Sequence, residues 1–404
     1  MFLALLVSCT GGWSQVPAYV VLVSFDGFRH DYVQKYHPPH FEKLIAEGAS
    51  ANGLIPSYPS KTFPNHYTLV TGLVPGNHGL VDNYFFDKAR QARYAMKDTT
   101  KIRDSYYYGG VPIWQLAKEN GLKSASFFWV GSELSDDARR PDYFYHFNDD
   151  IDPHQRVTQV LDWLRLPEKQ RPRVIMLYFS FPDHEGHEFG PDAPETRAAV
   201  LRADTLLGNL IDGVKSTRLP VNVVVVSDHG MQQLTMKEST FIFLDELIDR
   251  KDSSVVVVNG GTQAHLYMDN QRKRDSVFLY LKSHEEHFRV WRKEEFPAAW
   301  RYNHARVGDL LITAETGYYL REGSRPHFLA RVQMGALFGV HGYDPAEVPD
   351  MKGIFYAWGP NIRKGVRLPP IENVHVYPLL AKILGLPLPS IDGSFERVKR
   401  MYKE

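Results

Sequence analysis

What this sequence lacks narrows it early. Its 404 residues include a single cysteine, Cys9, so no disulfide framework can staple the chain. Neither sign of charge is in excess, because Lys plus Arg and Asp plus Glu each total 47. A balanced chain offers no broad basic field to duplex nucleic acid or to an anionic membrane surface, and no stable nucleic-acid complex is expected. No apolar run reaches the length of a bilayer span, and internal repeats and low-complexity segments are missing too. What remains is 43% hydrophobic and 13% aromatic, enough to build a large core in one big domain or two.

The apolar start, Met1 to Thr10, is too short for a transmembrane helix and reads as the hydrophobic region of an export signal, without its usual basic flank. Leu6-Val7-Ser8-Cys9 resembles a bacterial lipobox. Residues 1–18 are therefore assigned as a signal or lipoprotein-like segment, with Cys9 as a possible lipid anchor.

Further along, β-branched apolar runs alternate with helical patterns. Tyr19 to Phe25, Lys123 to Val130, Arg173 to Ser180 and Val221 to Ser227 read as buried strands. Phe41 to Glu47, the stretch after Thr62, Pro112 to Asn120, His154 to Leu166 and Pro194 to Lys215 read as helices, and Pro75-Gly76 as a turn. This alternation predicts an α/β fold with a mostly parallel central sheet covered by helices on both faces. Residues 19–230 form its core. The rhythm weakens over 231–340, read as a small α+β insertion, and returns over 341–404 with Lys352 to Trp358 and a helix at Val374 to Leu384.

In such sheets ligands sit at the carboxyl ends of the strands, and Asp26, Asp183 and Asp228 each lie at one. With His187, His229 and His341 they form a set of oxygen and imidazole donors without thiolate, which suits zinc at a catalytic site. Asp183 and His187 are four residues apart, so one helical turn puts them on one face. Asp228-His229 requires a bend that Gly230 is expected to permit. Taken singly, each of these pairs is an ordinary loop sequence; the repeated strand-end placement carries the signal. Thr62 sits where a loop enters a helix, with Pro64 close behind. Its hydroxyl is either a plain N-cap or a nucleophile activated by metal coordination, since two adjacent metals can clamp both the attacking and leaving oxygens of a phosphoryl transfer. Asn83, in Asp82-Asn83-Tyr84, is a candidate donor to a phosphoryl oxygen or a simple turn residue.

Six motifs in order now point to a family. Val23 to Arg29 (VSFDGFR), Pro59 to His66 (PSKTFPNH), Gly72 to Gly79 (GLVPGNHG), Pro182 to His187 (PDHEGH), Ser227 to Met231 (SDHGM) and His341-Gly342-Tyr343 resemble the nucleotide pyrophosphatase/phosphodiesterase family, within the alkaline phosphatase superfamily. The resemblance runs from Tyr19 to about Gly393. It implies an alkaline phosphatase-like fold and two Zn2+ ions, one held by Asp183, His187 and His341, the other by Asp26, Asp228 and His229, with Thr62 bridging to substrate. Thr62 would attack phosphorus to form a covalent phospho-threonine ester, which water activated at the first zinc would hydrolyse. Asn83 lies where the family binds phosphate. No counterpart is found of the deep Arg of monoesterase relatives, and this favours diesters.

Phe63 and Tyr178 match the two aromatics that sandwich a nucleobase in nucleotide-hydrolysing members. Tyr106-Tyr107-Tyr108 and Trp129 either line the same mouth or pack in the core. The expected substrate is a nucleotide diester or pyrophosphate, cleaved to a nucleoside 5′-monophosphate. Choline and lysophospholipid phosphodiesterases share the same ligands and stand as the alternative; a metal-depleted binding protein is a third possibility. No protein partner is inferable. The chain lacks the somatomedin-like and nuclease-like regions of vertebrate members and their cysteines. It therefore reads as a compact exported enzyme of the bacterial periplasm or an outer-membrane lipoprotein.

Overall fold

The computed structural model describes residues 18–404; the stretch read as an export signal, apart from Ala18, and Cys9 with it lie outside the described residues. The strand Tyr19–Phe25 is buried along its whole length at the middle of a nine-stranded sheet. Across the sheet the order is Arg367–Leu368, Ala49–Ile55, Gly353–Trp358, Val221–Val226, Tyr19–Phe25, Val174–Phe179, Ser124–Phe127, Tyr143–Tyr145, with Ile371–Glu372 also pairing beside Ala49–Ile55. The five strands from Val221–Val226 to Tyr143–Tyr145 are parallel. Gly353–Trp358 runs antiparallel to both of its neighbours. The sheet is thus largely parallel, with one reversed strand that the apolar run at 352–358 could not disclose, because strand direction depends on the route of the preceding chain.

Alternating side chains of Tyr19–Phe25 enter two separate cores, as a strand's twofold periodicity requires. Val20 and Leu22 pack with the helices Thr62–Thr71, Ile113–Glu119 and Val376–Leu384. Tyr19, Val21, Val23 and Phe25 pack against the helices Pro39–Glu47, Pro153–Arg165 and Pro194–Thr217. Both faces of the sheet are therefore covered, which explains the unbroken apolar runs.

Between 231 and 340 lies a four-stranded antiparallel sheet in the order Val256–Asn259, Gln263–Tyr267, Leu310–Ala314, Phe288–Arg292. It has its own apolar cluster, which extends to Tyr343, Val348 and Met351. The strand Leu337–Val340 pairs with Gln232–Thr235 and delivers the chain to His341. One local expectation, the turn at Pro75-Gly76, needs correction, and one strand, Ala49–Ile55, went unassigned. Pro75–His78 is a helical turn closed by Gly79, because Pro is well suited to a first helical position. Ala49–Ile55 is a strand although its small residues and Gly53 show no apolar run; its neighbours in the sheet supply the burial.

Candidate active site

Thr62 is the first residue of its helix. The capping position belongs to Lys61, and no side chain caps the helix. The plain N-cap reading of Thr62 is therefore wrong: its hydroxyl donates to Nε2 of His229 at 3.2 Å. The loop before it is tied down from within the helix. Asn65 accepts from the Ser57 amide and donates to the carbonyls of Pro59 and Lys61. The Nδ1–H of His66 donates to the Thr62 carbonyl at 3.0 Å, and its Nε2 accepts from Ser24 at 2.8 Å. The Trp129 indole donates to the His66 carbonyl. Thr62 thus stands on a rigid support at a helix N-terminus, where unpaired amides favour negative charge.

Facing it are two groups of donors: Asp26, Asp228 and His229, and Asp183, His187 and His341. Asp26 immediately follows its strand, Asp228 follows its own after Ser227, and Asp183 opens the helix Asp183–Phe189, so His187 lies one turn on, as expected. Gly27 has φ +65°, and a Cβ there would stand 2.8 Å from Asp183, so the close approach of the two loops requires glycine. Gly230 serves differently from the expectation: its dihedral is not left-handed, and what it supplies is room, since a Cβ would lie 2.1 Å from the Asp350 carbonyl.

The three imidazoles share one orientation. Nδ1 of His187, His229 and His341 lies 2.7, 2.8 and 2.8 Å from the carbonyls of Gly339, Gly230 and Ser60. A carbonyl only accepts, so each Nδ1 carries the proton and each Nε2 turns a lone pair into the cleft. There the lone pairs meet carboxyl oxygens: His229 with Asp228 at 3.0 Å and Asp26 at 3.4 Å, His187 with Asp183 at 3.4 Å, His341 with Asp183 at 3.8 Å. Lone pairs at such distances repel unless a cation lies between them. Ligands about 2.1 Å from a tetrahedral ion are about 3.4 Å apart, which is the observed range. Asp26 Oδ1, Asp183 Oδ1 and Asp228 Oδ2 are buried without a hydrogen-bond donor among the described residues. The donor set therefore fits metal ions. The rings of His229 and His341 stack at 3.5 Å, which puts the two groups side by side.

The electrostatics agree. Burial, then Asp228 and Asp183, push the Asp26 carboxyl well above its usual range. Burial acts the same way on Asp228, but His229 and His66 outweigh it and hold that carboxyl well below the usual range. Burial lowers His229, yet Asp228 more than compensates and raises it; the same carboxylate would draw a metal ion to that nitrogen. Burial, then His229 and Lys61, keep His341 well below the usual imidazole value, so its ring is neutral.

Asn83 is buried, and its Oδ1 accepts from the Phe63 amide at 2.9 Å, leaving Nδ2 for a ligand. Tyr178 donates its hydroxyl to Asp26 Oδ2 at 2.6 Å. One side of its ring meets His66, and Phe147, which is 52% exposed, lies 6.2 Å away. Phe63, next to Thr62 in the chain, is partly buried. Tyr107, Tyr108 and Trp129 are core residues, and Tyr106 packs against Arg90 on the surface. Sequence reasoning missed His66, Lys61 and the hydroxyl role of Tyr178. Lys61 is buried, which lowers its ammonium to about 8, and it donates to the carbonyls of Gly260 and His341, both at 2.7 Å.

The family pattern of "Type I phosphodiesterase / nucleotide pyrophosphatase" matches residues 20–344. The chain belongs to this family. It is 32% identical over 400 residues to human ectonucleotide pyrophosphatase/phosphodiesterase family member 5, covering 98% of this chain and 80% of that protein. An uncharacterised pyrophosphatase/phosphodiesterase of Schizosaccharomyces pombe is 33% identical over 403 residues, covering 96% and 81%. The solved structure of an inactive threonine-to-alanine variant of murine family member 5, in complex with AMP, superposes with a TM-score of 0.87 at 31% identity, covering 96% of this chain and all of that one. The type I phosphodiesterase fold, alkaline phosphatase-like with a largely parallel sheet, is thus established for this chain, and with it a metal-dependent hydrolase of the nucleotide pyrophosphatase/phosphodiesterase class. Among the described residues no helix is long and apolar enough to cross a membrane.

Proposed function

We propose that this chain is a two-zinc phosphodiesterase and pyrophosphatase that cleaves nucleotide diesters or pyrophosphates and releases nucleoside 5′-monophosphates. The observation that carries this reading is the Thr62 hydroxyl on His229 at a helix N-terminus, directly before two adjoining donor groups. One zinc would be held by Asp183, His187 and His341, the other by Asp26, Asp228 and His229, with Thr62 beside the second. Zinc there would supply Lewis-acid polarisation of a phosphoryl oxygen and favour the deprotonated forms of a hydroxyl and a water.

The chain's own residues do the rest. Thr62 Oγ1 attacks phosphorus in line with the leaving oxygen, whose bond breaks as a phospho-threonine ester forms. Water entering from the opposite face cleaves that ester and restores the hydroxyl. Asn83 Nδ2 donates to a phosphoryl oxygen throughout. Phe63 and Tyr178 flank the base, and such stacking contributes about 1–3 kcal/mol per base. The AMP in the murine relative supports a nucleotide ligand, and that protein's inactive threonine variant supports an essential threonine. The ectoenzyme names of the relatives agree with export of this chain.

The test is hydrolysis, by zinc-loaded protein, of the nitrophenyl ester of thymidine 5′-monophosphate beside nitrophenyl phosphocholine. Preference for the nucleotide ester supports the reading. Preference for phosphocholine replaces it with a choline or lysophospholipid phosphodiesterase on the same metal core.

A further inference from the structure

Asp82, Gln263 and His265 are each wholly buried, yet all three are polar. Buried polar groups carry a free-energy cost unless partnered, and here they partner one another across the boundary between core and insertion. Asp82 belongs to the loop that precedes Asn83. Gln263 and His265 belong to the inserted strand Gln263–Tyr267. Gln263 Nε2 donates to Asp82 Oδ2 at 2.6 Å. His265 donates to the same oxygen at 3.1 Å; its Nδ1 accepts from the Gly308 amide, which puts the proton on Nε2. Asp82 Oδ1 accepts the backbone N–H of Asn83 at 2.6 Å. Gln263 is itself oriented, because its Oε1 accepts from the Thr262 hydroxyl at 2.5 Å.

The consequence is geometric. The Asn83 backbone is held through Asp82, and its side-chain oxygen is held by the amide of Phe63, next to the nucleophile. Rotation about the remaining bonds is fixed at both ends, and Nδ2 points where the two anchors leave it. A catalytic donor works only when fixed close to its productive position before the substrate arrives. The same hairpin tip reaches the other side of the site, where Gly260 accepts from Lys61, the neighbour of Thr62.

We propose that Gln263, on the inserted sheet, is a positioning residue for Asn83, acting through the buried carboxyl group of Asp82. The proposal rests on the reading of Asn83 as a phosphoryl-oxygen donor. On this view the insertion is part of the catalytic apparatus and does more than cover it.

The experiment is a double-mutant cycle on the zinc-loaded full chain with a nitrophenyl diester that carries no base, read as kcat and KM separately. Asn83→Ala alone should lower kcat/KM about 100-fold, the scale of removing one oxyanion donor. Gln263→Leu should lower kcat about 10-fold with metal content unchanged. In the Asn83→Ala background the same substitution should cost less than about 2-fold, because a residue acting only through another loses its effect when that other is gone. Thr262→Val, which removes the bond orienting Gln263 together with a longer contact to the His341 carbonyl, should show a smaller loss of the same pattern at unchanged metal content and serves if Gln263→Leu does not fold. Equal fold-losses in both backgrounds would overturn the positioning role, as would unaltered kcat in Gln263→Leu. An Asn83→Ala protein with full activity would instead remove the reading of Asn83 itself, and the proposal with it.

Discussion

Replacing Tyr178 with Phe separates two roles that meet in one side chain. The ring would remain against His66 and Phe147, so a stacked base keeps its platform and no large cavity opens. What disappears is the hydroxyl donated to Asp26 Oδ2 at 2.6 Å. Burial, then Asp26, push that hydroxyl well above its usual titration range, so it stays a donor at any working pH. A hydrogen bond to a charged group contributes about 1.5–3 kcal/mol, and loss of such support behind a metal ligand weakens metal binding about 10–100-fold. Since a tenfold change is about 1.4 kcal/mol, the two figures agree. The variant should therefore release zinc to a competing chelator at concentrations about 10–100-fold lower than the parent. At saturating zinc its KM for the nucleotide ester should stay within about 2-fold, because the stacking face is intact. Unchanged metal affinity would refute the argument that the hydroxyl supports Asp26. A large rise in KM with unchanged affinity would assign the hydroxyl to the substrate instead.

Thr62→Ala should abolish turnover while leaving two zinc ions per chain by elemental analysis; substantial residual hydrolysis would remove Thr62 as nucleophile. His341→Ala should lower metal stoichiometry at the Asp183–His187 group and activity with it, and a variant that keeps both would exclude His341 as a ligand. His78 is wholly buried in the core, where burial lowers its imidazole to about 3. Between about pH 6.5 and that value the unfolded chain binds a proton that the folded chain refuses, so stability falls as pH falls, by up to about 1.4 kcal/mol per unit. Urea midpoints at pH 7 and pH 5.5 should therefore differ more for the parent than for His78→Gln, and equal differences would mean His78 does not couple to folding.

By itself the sequence determined the alternation of strands and helices, because strands buried on both faces must be apolar throughout and covering helices must show one apolar stripe. It also carried the six candidate metal-donor residues that the fold brings together. Each sits at a strand end or one helical turn from another donor, and spacing within a motif survives translation into local structure. What the sequence left open is whatever depends on parts of the chain far apart along it. Whether Thr62 capped its helix or faced His229 turned on where the fold placed a histidine 167 residues later. Tyr178 read as one of two aromatics flanking a base, and its hydroxyl bond to Asp26, across the neighbouring strand, shows only in the fold. Asp82, Gln263 and His265 had no pattern at all, since a lone buried polar residue is recognisable only by its partner, and tertiary structure alone brings those partners together.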